Sequence, residues 1–277
     1  MTGAAGMLGR DVVRAAQAAN HEVVACGREE LDIRRGRPVR ETLRRELPDA
    51  IVNCAAWTDV DGAEADEEGA TALNGTAAGA LAAAAATIGA AIVHPSTDYV
   101  FDGTKREPYV ESDPVAPINA SGRSKLAGER AVAEANPRHF VVRTSWLFGT
   151  NGRNFVETML GLAEHNDHVL VVRDQVGCPT YTGDLAEALV RLLDGEAYGV
   201  HHIAGGGECS WFEFATAIFE QAGVATRALS CTSDEFPRPA ARPAYSVLRT
   251  ERDWGLLLPD WRDGLAGYLA ERAVARP

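Results

Sequence analysis

The sequence predicts an α/β protein built on a doubly wound parallel sheet, and three observations carry that reading. The first is a glycine-rich turn, Gly3, Gly6 and Gly9 in MTGAAGMLG, which runs directly into a helix-forming stretch at 10–19. Backbone N–H groups in such a turn approach a pyrophosphate closely, and the helix behind it aims its positive end at the phosphates. The second is alternation. Strand and helix signals change places at least four times over residues 1–150, the pattern of a parallel sheet covered on both faces. The third is chemistry at a strand end: hydroxyls and a phenol follow an apolar run at STDYVFDG (96–103), where open α/β sheets meet their ligands.

Taken in order, the chain first presents an anomaly. Only Met1 and Thr2 precede Gly3, so the first strand, central in such a sheet, is expected to be truncated, and a start upstream of Met1 is one explanation. HEVVACG (21–27) reads as the next strand, ending at Arg28. A basic residue there accepts a ribose 2′-phosphate, whereas an acidic one favours the free hydroxyls of NAD. Leu31, Asp32 and Ile33 open a second crossover through a helix near 38–46, with Pro38 suited to the first helical position. DAIVNCA (49–55) is the third strand. A long alanine-rich helix follows at 67–88, interrupted by Gly69, Gly75 and Gly79.

The strand at 91–95 leads into Ser96–Thr97 and a loop at 104–119, then a helix from Ala120 to about 135 and a strand at 140–144. Beyond residue 150 the order is mixed: helices at 154–164, 182–193, 210–222 and 260–273, strands at 169–172 and 199–203, and a proline-rich extended segment at 236–245. Ser210 with Glu213 reads as a capping box. These signals divide the chain into a dinucleotide-binding domain, 1–150 plus about 176–203, and a smaller interlaced lobe, about 151–175 plus 204–277.

Composition narrows the function classes. The net charge of −12 argues against generic nucleic-acid or anionic-membrane binding. No apolar run reaches the length of a membrane span, and no charged-then-apolar leader is visible. Cys26, Cys54, Cys178, Cys209 and Cys231 are odd in number and lack a Cys-x-x-Cys pair, which reads as free thiols in a reducing cytoplasm. The histidines show no ligand spacing, so no metal is expected. His201 and His202, adjacent in a strand, point to opposite faces.

Seven motifs occur in one order: TGAAGMLG (2–9), NCAAWTDVDGAE (53–64), STDYVFDG (96–103), SKLAGE (124–129), RTSWLFG (143–149), DQVGCPT (174–180) and RPAYSVL (242–248). Together they resemble the dTDP-4-dehydrorhamnose reductase family of extended short-chain dehydrogenases, over essentially the whole chain. The resemblance implies a Rossmann-like fold and a cytoplasmic enzyme using NADPH (or NADH). Its substrate would be a dTDP-6-deoxy-4-ketohexose reduced at C4 to give dTDP-L-rhamnose. A homodimer is compatible with it. By position, Gly3, Gly6, Met7 and Leu8 match the pyrophosphate and nicotinamide turn, Asp32 and Ile33 the adenine-side contact, and Ala55 and Ala56 the floor under the cofactor. Thr97 and Lys125 match the catalytic hydroxyl and lysine. Tyr99, Trp146, Asn154, Thr180 and Arg242 fall where the family binds substrate or shapes its pocket. Two of these positions also admit plainer roles, Trp146 as core and Asn154 as a helix cap.

One departure sits at the centre of the chemistry. The class uses Tyr-x-x-x-Lys, in which the phenol protonates the oxyanion and the lysine lowers the phenol pKa. Four residues before Lys125 stands Ser121, and no tyrosine lies in 118–125. Losing a matched general acid lowers turnover by roughly 10²–10⁴-fold. Two readings follow: a reductase impaired at Ser121 or using another proton donor such as Tyr99, and a non-catalytic cofactor-binding homologue acting as a regulatory or partner subunit.

Overall fold

A computed structural model describes residues 1–252 and 256–275. Its centre is a parallel sheet of β1 (Ala50–Val52), β2 (Ala91–Thr97), β3 (His139–Thr144) and β8 (Gly199–His202), in the order β1-β2-β3-β8. β2 and β3 are buried along nearly their whole length, as parallel strands under helices must be. Thr2 extends the sheet past β1, bridging Asn53 on one side and Cys26 on the other.

The strand expected at 21–27 reduces to that single bridge at Cys26. A ladder needs a neighbour paired along its length, and among the described residues only Thr2 bridges this segment. Cys26 N–H donates to Met1 O at 2.9 Å and the Met1 ammonium donates to Val24 O at 2.9 Å. Residues 21–23 have no partner strand and stay irregular. A cavity of about 580 Å³ opens there, beneath Met1 and beside Val23, Ala50 and Leu193.

Helices cover both faces. α1 (Met7–Ala18) buries Leu8, Val12 and Ala16, a one-in-four spacing that makes one stripe, against Leu185 and Leu189 of α8 (Thr182–Leu192). On the other face, α2 (Gly36–Glu46) contributes Val39 and Leu43. Pro38 is its third residue rather than its first. The first-turn N–H groups all lack intrahelical acceptors, so proline is tolerated at that position too.

The alanine-rich segment divides into α3 (Val60–Ala65), α4 (Glu67–Thr71), a π-helical turn (Ala72–Ala77) and α5 (Ala78–Ala86). Its small residues let it lie close on α6 (Ala120–Ala135): a Cβ on Gly79 would stand 2.7 Å from Ala131 Cβ. The π turn holds Asn74, whose side chain accepts from Trp57 N–H at 2.8 Å and donates to Ser124 Oγ at 2.9 Å. The start of α6 is fixed by Asn119, whose side chain accepts the Gly122 N–H at 2.7 Å, and by Glu64, which accepts the Ala120 N–H at 2.7 Å.

A second core joins α7 (Phe155–Ala163), α9 (Trp211–Ala222) and α10 (Trp261–Ala275) through Phe148, Met159, Phe214, Ile218 and Tyr268. The capping box at Ser210 and Glu213 is present. β5 (His168–Val172) pairs in parallel with β10 (Arg227–Cys231) on its outside. Two minimal ladders tie this region to the sheet: β4 (Leu147–Phe148) with β7 (Thr180–Tyr181), and β6 (Val176–Gly177) with β9 (Cys209–Ser210). All five cysteines are free thiols. Among the described residues no helix is long and apolar enough to cross a membrane, and no group of His, Cys, Asp and Glu is placed to hold a metal ion.

Candidate active site

The carboxyl ends of the parallel strands, the glycine turn and the start of α6 enclose a cavity of about 620 Å³. Its wall at one end is backbone. Gly3 has φ +65, and a Cβ there would lie 2.5 Å from Ala55 N; a Cβ on Gly9 would lie 2.2 Å from Gly3 O. Both glycines are therefore required for the turn to fold onto β1 and α1. Gly6 caps α1 with no side-chain acceptor, and no acidic residue stands in the first turn. The uncapped N–H groups of Met7, Leu8 and Gly9 thus face the cavity as a ready anion site.

The opposite end is made of side chains. Lys125 is buried, and its ammonium donates to Pro95 O at 2.5 Å. Burial pushes it down to about 8, while Glu129, one turn further on, works in the opposite direction. Glu129 is itself held by a buried ion pair with Arg143 at 2.8 Å and by the Ser96 hydroxyl at 2.6 Å. Thr97 Oγ1 donates to Asp98 Oδ1 at 3.0 Å and accepts from Tyr99 N–H at 3.2 Å. Ser121 lines the same cavity from the first turn of α6.

Aromatic side chains form the outer wall. Trp146 adopts φ +49, an uncommon conformation for a bulky residue. It stacks on Trp211 with centroids 3.5 Å apart and planes 5° from parallel. Gly177 of the DQVGCPT motif makes room for it, since a Cβ there would stand 2.5 Å from the Trp146 ring. Trp146 is a partly exposed cavity wall, not core.

The remaining expected residues divide. Ala56 and Tyr99 line the cavity. Arg242 does not, but it lies beside the Tyr99 phenol and is paired with Asp61 at 2.5 Å. Burial and the neighbouring Asp98 push the Tyr99 phenol above its ordinary range. Ala55 lies under Gly3 and packs on the core. Ile33 is a core side chain, 2 % exposed, so only its backbone is left to face a ligand. Asp32 is gripped by Arg34 at 2.7 Å, and that pairing brings it down to about 2; Arg28 is exposed close by.

Asn154 and Thr180 are not brought to the cavity. Asn154 caps α7 through Glu157 N–H at 3.0 Å and donates to Gly149 O at 2.7 Å, so its amide is consumed by the turn. Thr180 is fully buried and bonded to Cys178 O and Gly205 N–H, a joint between strands.

The scan against family models matches the RmlD substrate binding domain over residues 1–274. A spore coat polysaccharide biosynthesis protein, SpsK, of Bacillus subtilis is 43% identical over 277 residues, covering 99% of this chain and 98% of that one. A dTDP-4-dehydrorhamnose reductase of Clostridium acetobutylicum, 42% identical, superposes with a TM-score of 0.95 over 98% of this chain and 97% of its own. The Bacillus anthracis reductase, solved in complex with NADP, is 38% identical with the same TM-score and coverage. The chain belongs to the dTDP-4-dehydrorhamnose reductase family.

The cavity suits the dinucleotide of that family on features of its own. The glycine turn leaves N–H groups open, and Thr144 at the end of β3, which lines the cavity, has a buried hydroxyl with no hydrogen-bond partner. The strand-end rule places Asn53 beside the cofactor, and Asn53 lines the cavity; the reading of the motifs assigned no role to Thr144, Asp98 or Trp211, which line the same space. Thr144 and Asp98 stand at or beside strand ends inside quoted motifs, so the topology rule alone would have found them. Trp211 has no such signal; it arrives from the start of α9.

Proposed function

We propose that the chain reduces the C4 ketone of dTDP-4-dehydro-6-deoxy-L-mannose to dTDP-L-rhamnose with NADPH, NADH being the weaker partner. The observation that carries this is the meeting of the glycine turn, Thr97 and Lys125 around one cavity. Several relatives are named as reductases of dTDP-4-keto sugars, which fits that chemistry. The preference for NADPH rests on Arg28, exposed at the end of the second strand segment near Asp32, where a ribose 2′-phosphate finds a cation.

Bound, the reduced nicotinamide supplies hydride to the ketone carbon. The chain's own residues do the rest. The uncapped start of α1 holds the pyrophosphate, the Lys125 ammonium holds the ribose and adds positive charge, and the Thr97 hydroxyl holds the ketone oxygen. Arg242, rigidly presented between Pro239 and Pro243, neutralises the substrate diphosphate together with Arg238, once Asp61 yields its place.

Ser121 favours a second reading, a cofactor-binding homologue without catalysis. Both readings require dinucleotide binding. Oxidation of NADPH on adding the ketosugar nucleotide separates them, and binding without oxidation establishes the second.

A further inference from the structure

A reductase that has serine at position 121 still has to protonate an alkoxide. The serine hydroxyl is too weak an acid for that task, and the raised Tyr99 phenol is poorly matched to it. Asp98, the residue after Thr97, offers another route. It is 2 % exposed and lines the cavity. Its Oδ1 stands 3.0 Å from Thr97 Oγ1 and its Oδ2 accepts the Ser246 hydroxyl at 2.6 Å. These hydroxyls and the Asp98 and Tyr99 N–H groups are neutral donors that favour the carboxylate, and burial outweighs them.

The titratable groups facing Asp98 are Tyr99 on its own turn and Cys178 from the segment before β7. Both stay protonated, because burial opposes their ionisation as well. A carboxyl so enclosed favours its neutral form, and burial lifts Asp98 to about 7. When protonated, it reverses its bond to Thr97: the carboxyl donates, and the threonine proton is free to point into the cavity. The Tyr99 N–H keeps the threonine oxygen in place meanwhile.

We propose that Asp98, acting through the Thr97 hydroxyl, supplies the proton for ketone reduction in this chain, in place of a phenol at position 121. The proposal rests on the reductase reading above. Hydride from the reduced coenzyme adds to the ketone carbon, and the C=O π pair becomes a lone pair on oxygen. That oxygen takes the Thr97 Oγ1 proton while Thr97 Oγ1 takes the Asp98 Oδ1 proton. The products are the alcohol, an intact threonine and the Asp98 carboxylate, which solvent reprotonates. Only the coenzyme and the ketone change oxidation state.

The test follows NADPH oxidation with dTDP-4-dehydro-6-deoxy-L-mannose in the purified full chain and in Asp98→Asn, Asp98→Glu, Ser121→Tyr and the Asp98→Asn/Ser121→Tyr double variant. The relay requires Asp98→Asn to lose about 100-fold in kcat with NADPH affinity unchanged, and Asp98→Glu to recover part of it. It requires kcat of the unaltered chain to fall as pH rises through about 7, and the double variant to regain activity because a phenol no longer needs Asp98. An Asp98→Asn rate within about threefold of the parent overturns it, as does a double variant no faster than Asp98→Asn. A flat parental profile from about pH 6 to 9 also overturns it, and needs no variant to fold. An inert parent beside an active Ser121→Tyr overturns the relay and leaves the reductase scaffold standing. Inertness of both removes the reductase reading itself, and the relay with it.

Discussion

The two ends of the cavity are built on different principles. The coenzyme end is backbone: Gly3, Gly6 and Gly9 shape it, and helix α1 supplies its field. The other end is side chains: Thr97 and Asp98 from the end of β2, and Ser121 and Lys125 from successive turns of α6. A backbone site tolerates any side chain that does not collide, so it persists while sequences drift. A side-chain site changes chemistry with a single substitution, which makes Ser121 the position to test.

Breaking each end in turn sharpens that contrast. The largest effect is expected at Lys125. Lys125→Ala removes the charge from the side-chain end and lowers kcat by roughly 10²–10⁴-fold while pyrophosphate binding survives. Steady-state kinetics beside NADPH titration by fluorescence measures both. Gly9→Ala attacks the other end: its Cβ meets backbone at 2.2 Å, which no side-chain motion relieves. NADPH affinity should drop by at least about 100-fold, or the fold should lose about 2 kcal/mol or more, as read by calorimetry and denaturant melts.

Next comes restoration. Ser121→Tyr should raise turnover by at least about tenfold, and equal rates would mean that the proton already arrives by a route as good as a phenol. Arg242→Lys keeps charge but loses the planar fork, so KM for the sugar nucleotide should rise about tenfold with little change in kcat.

The smallest effect is thermodynamic. A carboxyl raised to about 7 in the folded state and near 3.9 when unfolded binds more protons folded than unfolded across that window. Its contribution to stability therefore falls as pH climbs from about 4 to 7. Asp98→Asn cannot ionise, so its Tm relative to the parent should improve between about pH 5 and pH 8. A constant difference would mean that the folded carboxyl titrates normally.

Much of this was legible from residues alone. The glycine turn, the placement of α6 and α9, the capping box and the strand-end position of Thr97 all follow from local rules: hydrophobic period, caps and the absence of Cβ. What failed, failed where a partner distant in the chain decides. Residues 21–27 carry strand residues, but strands exist only as pairs, and among the described residues only Cys26 finds a bridge partner, Thr2. Asn154 caps a helix, the plainer of the two roles its position admits, and Thr180 bonds across a strand joint, a contact no local signal announces.

The sequence by itself determined the class of fold, the family and the missing phenol, because periodicity, motif order and residue identity are properties of the chain. Tertiary structure decided the rest. Trp211, at the start of α9, reaches Trp146 across 65 residues of chain, and Ser246 meets Asp98 across 148. The burial that holds Asp98 near neutrality and lowers Lys125 has the same origin: water is excluded by packing, and packing is set by residues far apart in the sequence.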